Sequence, residues 1–121
     1  MKIAVFSDVH GNLPALELML ADAKGVDQFI CLGDVVNYGP WSNECVQIIS
    51  ELKNCIKIRG NHEDYFIEGN CNANQFLVQE FFSLCFDNFD EHFLIKDYIK
   101  SYKIKDTHFY HTIKNQYIYR D

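Results

Sequence analysis

The chain has 121 residues, 48% of them hydrophobic, and a formal net charge of −6. That length supports one buried core, so a single domain over residues 1–121 is expected. The acidic balance, with lysines dispersed among carboxylates, disfavours a nucleic-acid partner and suits cations, and the apolar runs are too short and interrupted for a membrane span. Five cysteines without a close CxxC pair, and an opening Met1-Lys2 that runs straight into a strand-like segment, give the expectation of reduced thiols and a cytoplasmic protein.

The first apolar run, "KIAVFSD", is β-branched and aromatic and reads as a strand. "NLPALELMLADAKG" follows as a helix, with Pro14 near its start and Gly25 at its end. "DQFICLGD" repeats the strand signal, "WSNECVQIISELKN" gives a second helix with Ser42 as its expected N-cap, and "CIKIRGN" is a third strand. This β-α-β-α-β order predicts an α/β fold of parallel strands with right-handed crossovers, in which ligands collect beyond the carboxyl ends of the strands. The Phe-rich stretch from Asn72 to Ser101 reads as one or two helices, with Leu77, Phe81, Leu84 and Cys85 forming a core-facing stripe. "YKIKDTHFYHTIKNQYIY" alternates enough to be a hairpin turning near Asp106 and Thr107.

Each of the three strands ends in groups that can hold a cation. In "FSDVHGN", Asp8 and His10 are two apart, so extended backbone would point both to one side. In "LGDVVNYGP", Gly33 permits a tight turn from which Asp34 projects. "RGNHED" offers the amide oxygen of Asn61 and the imidazole of His62. Any one of these would pass as an ordinary turn; the topology brings all three together. Mixed carboxylate, imidazole and amide donors suit Mn, Fe, Zn or Ni rather than calcium or structural zinc. No phosphate-cradling GxxxxGK or GxGxxG loop is present.

Taken together, Asp8-x-His10, Gly33-Asp34 and Gly60-Asn61-His62-Glu63, flanked by "SDVHGN" and "GDVVNYGP", resemble the first three motifs of the calcineurin-like metallophosphoesterases. The resemblance implies the start of a layered sandwich fold and a pair of divalent transition metal ions. By the same resemblance, Asp8 and His10 hold one ion, Asp34 bridges both, and Asn61 holds the second. His62 contacts the substrate phosphate as the catalytic side chain and delivers a proton to the leaving oxygen. A later family motif, a strand-end His, is matched by His111 in "HFYHT", whereas His92 and His108 read as structural. The implied activity is hydrolysis of a small phosphate mono- or diester by metal-activated water.

The family's closing Gly-His-x-His motif, which supplies one further His to each ion, does not occur in the sequence. The chain therefore reads as the amino-terminal part of such a domain, truncated at its carboxyl end. Self-association or a complementing chain is then expected. The alternative reading is a non-catalytic module that binds metal or ligand.

Overall fold

The computed structural model describes residues 1–113. Its elements run β1 (Ile3–Phe6), α1 (Leu13–Asp22), β2 (Gln28–Cys31), α2 (Ser42–Glu51), β3 (Cys55–Lys57), α3 (Asn61–Glu68), α4 (Phe76–Asp87), α5 (His92–Ile95), β4 (Ser101–Ile104) and β5 (Thr107–Tyr110). The expected β-α-β-α-β order is found: β1, β2 and β3 form a parallel sheet in that order, with Phe6 beside Cys31 and Cys31 beside Lys57. Because β1 and β2 end at the same level and β3 ends close by, the loops that follow emerge side by side. An antiparallel β4–β5 hairpin forms a second, separate sheet, turning at Lys105 and Asp106, one residue before the expected position. Part of the expected hairpin, from residue 114 onward, lies outside the described residues.

The core lies on the face of the parallel sheet covered by α1 and α2, where Leu16, Cys31, Cys45, Val46 and Ile49 are buried, and it continues through Phe66, Phe82, Phe89 and Ile95. The aromatic part is knit edge to face: Phe66 meets Phe82, Phe86 and Phe89 at ring-centroid distances of 5.6, 5.7 and 5.1 Å. All five cysteines are free thiols. Among the described residues no helix is long and apolar enough to cross a membrane.

Three local readings are corrected. Ser42 is the first residue of α2 rather than its N-cap; Trp41 holds that place, and the Ser42 hydroxyl accepts the backbone N–H of Asn37 instead. The residues after β3 are not a loop, because α3 begins at Asn61. The stripe chosen on α4 faces solvent, with Leu77 and Leu84 each 64% exposed, while Phe82 is buried and Val78, Cys85 and Phe86 pack beside it. Of the chosen four, only Cys85 reaches the core. The helix is apolar on two faces, and periodicity alone does not say which face turns inward.

Candidate functional site

Beyond the sheet, the backbone stays laced although the strands have ended. Asp8 N–H donates to Gly33 O, His10 N–H to Asp34 O and Gly11 N–H to Val35 O, at 2.9, 2.9 and 2.7 Å. These bonds hold residues in conformations that side chains rarely adopt. Asp8, His10, Asp34, Asn37 and Tyr38 all have positive φ, between 47° and 79°. Left-handed backbone at non-glycine residues costs free energy and persists only where surrounding contacts over-determine it, as happens at functional sites. Asp8 and His10 therefore share a side through two left-handed turns, not through the strand alternation expected from their spacing. Gly33, at φ 105°, packs so tightly on the third loop that a Cβ would stand 2.5 Å from Gly60 N.

The structure brings Asp8, His10, Asp34, Asn61, His62 and His111 into one cluster at these loops. Asp34 is its centre and is 4% exposed. Its Oδ1 accepts the backbone N–H of His62 at 2.9 Å, so the carboxylate caps the start of α3. Its Oδ2 lies 3.0 Å from His111 Nε2 and 3.9 Å from His10 Nε2, and Asp8 Oδ1 is 3.5 Å from the same His10 nitrogen. Donor atoms of His10, Asp34 and His62 lie within 4.8 Å of one another, and so do those of Asp8, Asp34 and His111. Asp34 belongs to both groups. Asp8 also lies beside His10, the pairing that the family resemblance implies.

The three histidines are wired differently. His10 Nδ1 is 3.0 Å from Val36 O, and His111 Nδ1 is 2.7 Å from Leu32 O. A carbonyl only accepts, so both rings carry a proton on Nδ1 and turn Nε2 toward the carboxylates. His62 is wired in reverse. Asn37, fully buried, uses its side-chain oxygen to accept the N–H of Tyr38 at 2.9 Å, which leaves its NH₂ group facing His62 Nδ1 at 3.1 Å. His62 Nδ1 therefore accepts, and the ring's proton sits on Nε2. Burial pushes the His62 pKa below its ordinary value, in keeping with a neutral ring.

The acidic residues after His62 do not face it. Asp64 reaches Arg59 at 3.5 Å, and Glu63 turns inward, fully buried, toward backbone N–H groups. Burial pushes the Asp34 carboxyl up, but hydrogen bonds from His111 and from the His62 backbone outweigh it and hold the group below the usual carboxylate range. The partner effect raises His111 to about 9, mainly through the same Asp34 hydrogen bond.

The donor set fits divalent cations. Two imidazoles present Nε2 while anchored through Nδ1 to backbone carbonyls, the arrangement metal-ligating histidines adopt. Asn61 also fits. With Oδ1 turned inward, that oxygen lies 3.1 Å from His111 Nε2 and faces the Asp34 carboxylate; a cation would favour this orientation, whereas the reversed amide would donate to the same groups. Tyr38 and Tyr65 stand 5.2 Å from the His62 ring on two sides. A cleft of about 820 Å³ opens beside Asn61 and His111, lined also by Arg59, Tyr65, Lys100 and Tyr110.

Sequence reasoning missed Asn37 and Glu63. A partial signal existed for the second, since a glutamate at the third position of a helix can reach back to the N-cap N–H, as Glu63 does to Gly60.

A parallel sheet in an α/β fold thus gathers carboxylates, imidazoles and an amide beyond its strand ends around one shared aspartate. The chain belongs to the calcineurin-like phosphoesterases, whose family model matches residues 1–120. It is 51% identical over 69 residues to an uncharacterized protein of Methanocaldococcus jannaschii, covering 55% of this chain and 28% of that one. It is 48% identical over 42 residues to the phosphodiesterase YfcE of Escherichia coli, covering 33% of this chain and 23% of that protein. Among solved structures, a metallophosphoesterase from Sphaerobacter thermophilus superposes with a TM-score of 0.71 at 32% identity, over 86% of this chain and 44% of that one. The chain spans less than half the length of each of these proteins.

Proposed function

We propose that this chain supplies the core of a metal-dependent phosphoesterase site acting on small phosphate mono- or diesters. The observation that carries the reading is the opposite wiring of the histidines: His10 and His111 are anchored through Nδ1 and turn Nε2 toward the carboxylates, where a cation would displace any proton, while His62 accepts at Nδ1 and offers Nε2–H. The first two are suited to hold cations and the third to donate to a phosphate oxygen. Family membership and the phosphodiesterase relative favour the same chemistry.

In this reading Asp8, His10, Asp34, Asn61 and His111 hold two divalent cations of the Mn, Fe, Zn or Ni type, with Asp34 shared. When bound, the ions polarise the phosphoryl oxygens and make hydroxide available at neutral pH. His62, held by Asn37, donates its Nε2–H to a non-bridging phosphate oxygen. This differs from the proton delivery expected from sequence: a neutral ring whose Nδ1 already accepts from an amide is a hydrogen-bond donor, not an acid. Its electrostatic contribution is greatest as charge builds on the phosphate. Tyr38 and Tyr65 pack beside the ring that carries the donor.

The test is cation-dependent hydrolysis of an aryl phosphodiester by the purified chain with added Mn²⁺ or Ni²⁺, beside calorimetric titration of the same ions. Hydrolysis that needs the ion and disappears in Asp34→Asn supports the reading. Metal uptake without hydrolysis supports the non-catalytic binding module instead, and absence of both removes the metal-site reading.

A further inference from the structure

Glu63 has no exposed surface, and no cation pairs with it among the described residues. Its Oε1 accepts the backbone N–H groups of Asp34 and Gly60, both at 2.8 Å. Its Oε2 accepts those of Val35 at 2.8 Å and Val36 at 3.3 Å. One carboxylate thus gathers four backbone donors from two loops that lie far apart in sequence. Both oxygens are occupied by N–H donors, which favour the carboxylate, whereas burial pushes its pKa above the ordinary value.

What these donors carry gives the contact its meaning. The residue bonded through Asp34 N–H also presents the carboxylate at the centre of the site, in a left-handed conformation with φ 57°. The carbonyl of Val36 anchors His10 Nδ1, that of Asp34 receives His10 N–H, and that of Val35 receives Gly11 N–H. The first loop therefore hangs from the same three residues that Glu63 grips. Gly60, the fourth donor, precedes Asn61 and His62 at the start of α3. A single side chain ties together the segments that deliver Asp34, His10, Asn61 and His62.

We propose that Glu63 is a positioning residue for the cation site, a clasp that fixes the Asp34–Val36 loop against the start of α3. The inference rests on the phosphoesterase reading. Without the clasp, the Asp34, Val35 and Val36 N–H groups lose their acceptor, and the loop is left with its bonds to the first loop and the Asp34 bond to His62 N–H to hold the shared ligand in place.

Glu63→Gln is the sharpest test, because it keeps volume while turning an NH₂ group toward backbone N–H donors. Mn²⁺ affinity, measured by calorimetry well below the melting temperature, is expected to fall about 10- to 100-fold, as when supporting partners of metal ligands are lost. Glu63→Asp keeps the carboxyl group but is too short to reach all four donors, so it should recover part of that loss. A purely structural glutamate would lower thermal stability in both variants and leave Mn²⁺ affinity of the folded protein unchanged; that result overturns the clasp. If Glu63→Gln does not fold, Glu63→Asp decides alone by the same measurement. Wild-type chain that takes up no Mn²⁺ overturns the phosphoesterase reading and the clasp together, whereas wild-type uptake matched by both variants overturns only the clasp.

Discussion

The loops beyond β1, β2 and β3 and the helix α4 solve opposite problems. At the loops and the start of α3, polar groups are buried: Asp34, Asn37, His62 and Glu63 are each under 9% exposed, and every one has a hydrogen-bond partner. On α4, apolar groups are exposed, with Phe76 at 77% and Leu77 and Leu84 at 64%. Burying a charge without partners is costly, so these four side chains are each bonded. An exposed leucine costs little, so α4 needs only its inner face to pack. The difference teaches that substitutions in the first region act through function and in the second through packing.

The strongest break in that comparison would come from Asp34→Asn. Removing the charge shared by both donor groups should lower Mn²⁺ affinity by more than about 100-fold, beyond the loss typical of a supporting residue. Calorimetric titration reads this directly, and near wild-type affinity would remove Asp34 from the centre of the site. His62→Ala should leave metal uptake unchanged and cut turnover by about 10²- to 10³-fold, the effect of deleting one donor to developing charge. Equal metal loss in both variants would erase the division of roles among the histidines.

On α4 the contrast is internal. Phe82→Ala should cost about 3–5 kcal/mol in urea denaturation, through lost burial and the cavity left among Phe66 and Phe86. Leu77→Ser and Leu84→Ser should fall within about 0.5 kcal/mol of wild type. Similar losses at the two faces would mean that the outer face is covered in solution.

A separate effect is expected in the pH dependence of the metal-free protein. His111 is raised from 6.5 to about 9 by its hydrogen bond to Asp34, so its contribution to stability is fully present below about pH 6.5 and is lost as pH rises through about 9. Urea midpoints measured with chelator across that window should decline, and His111→Asn should flatten the decline. Cations compete for the same Nε2, so their binding should strengthen as pH rises through that range.

Much of this arrangement was legible in the residues. The alternation of apolar runs and helical stretches identified the parallel sheet, and polar clusters after each run pointed to one end of it. What stayed hidden depended on backbone geometry or on partners distant in sequence. Asp8 and His10 are brought together by left-handed turns that no spacing rule encodes. Asn37 acts on His62 across 25 positions, and Glu63 on Asp34 across 29. The inner face of α4 was ambiguous because Phe82 and Phe86 lie one residue out of phase with Phe81 and Cys85, giving two apolar stripes of equal claim.

The bond from His111 Nδ1 to Leu32 O spans 79 positions. During folding, closing so long a loop comes after local pairing, because its entropy must be recovered from contacts that form late. The β1–β2–β3 sheet is complete by Lys57, so on a ribosome it can assemble while His111 has yet to be synthesised. In the proposed reading one ligand of the cation site is thus a timer: full affinity for metal would arrive only when almost all of the described chain has emerged and docked.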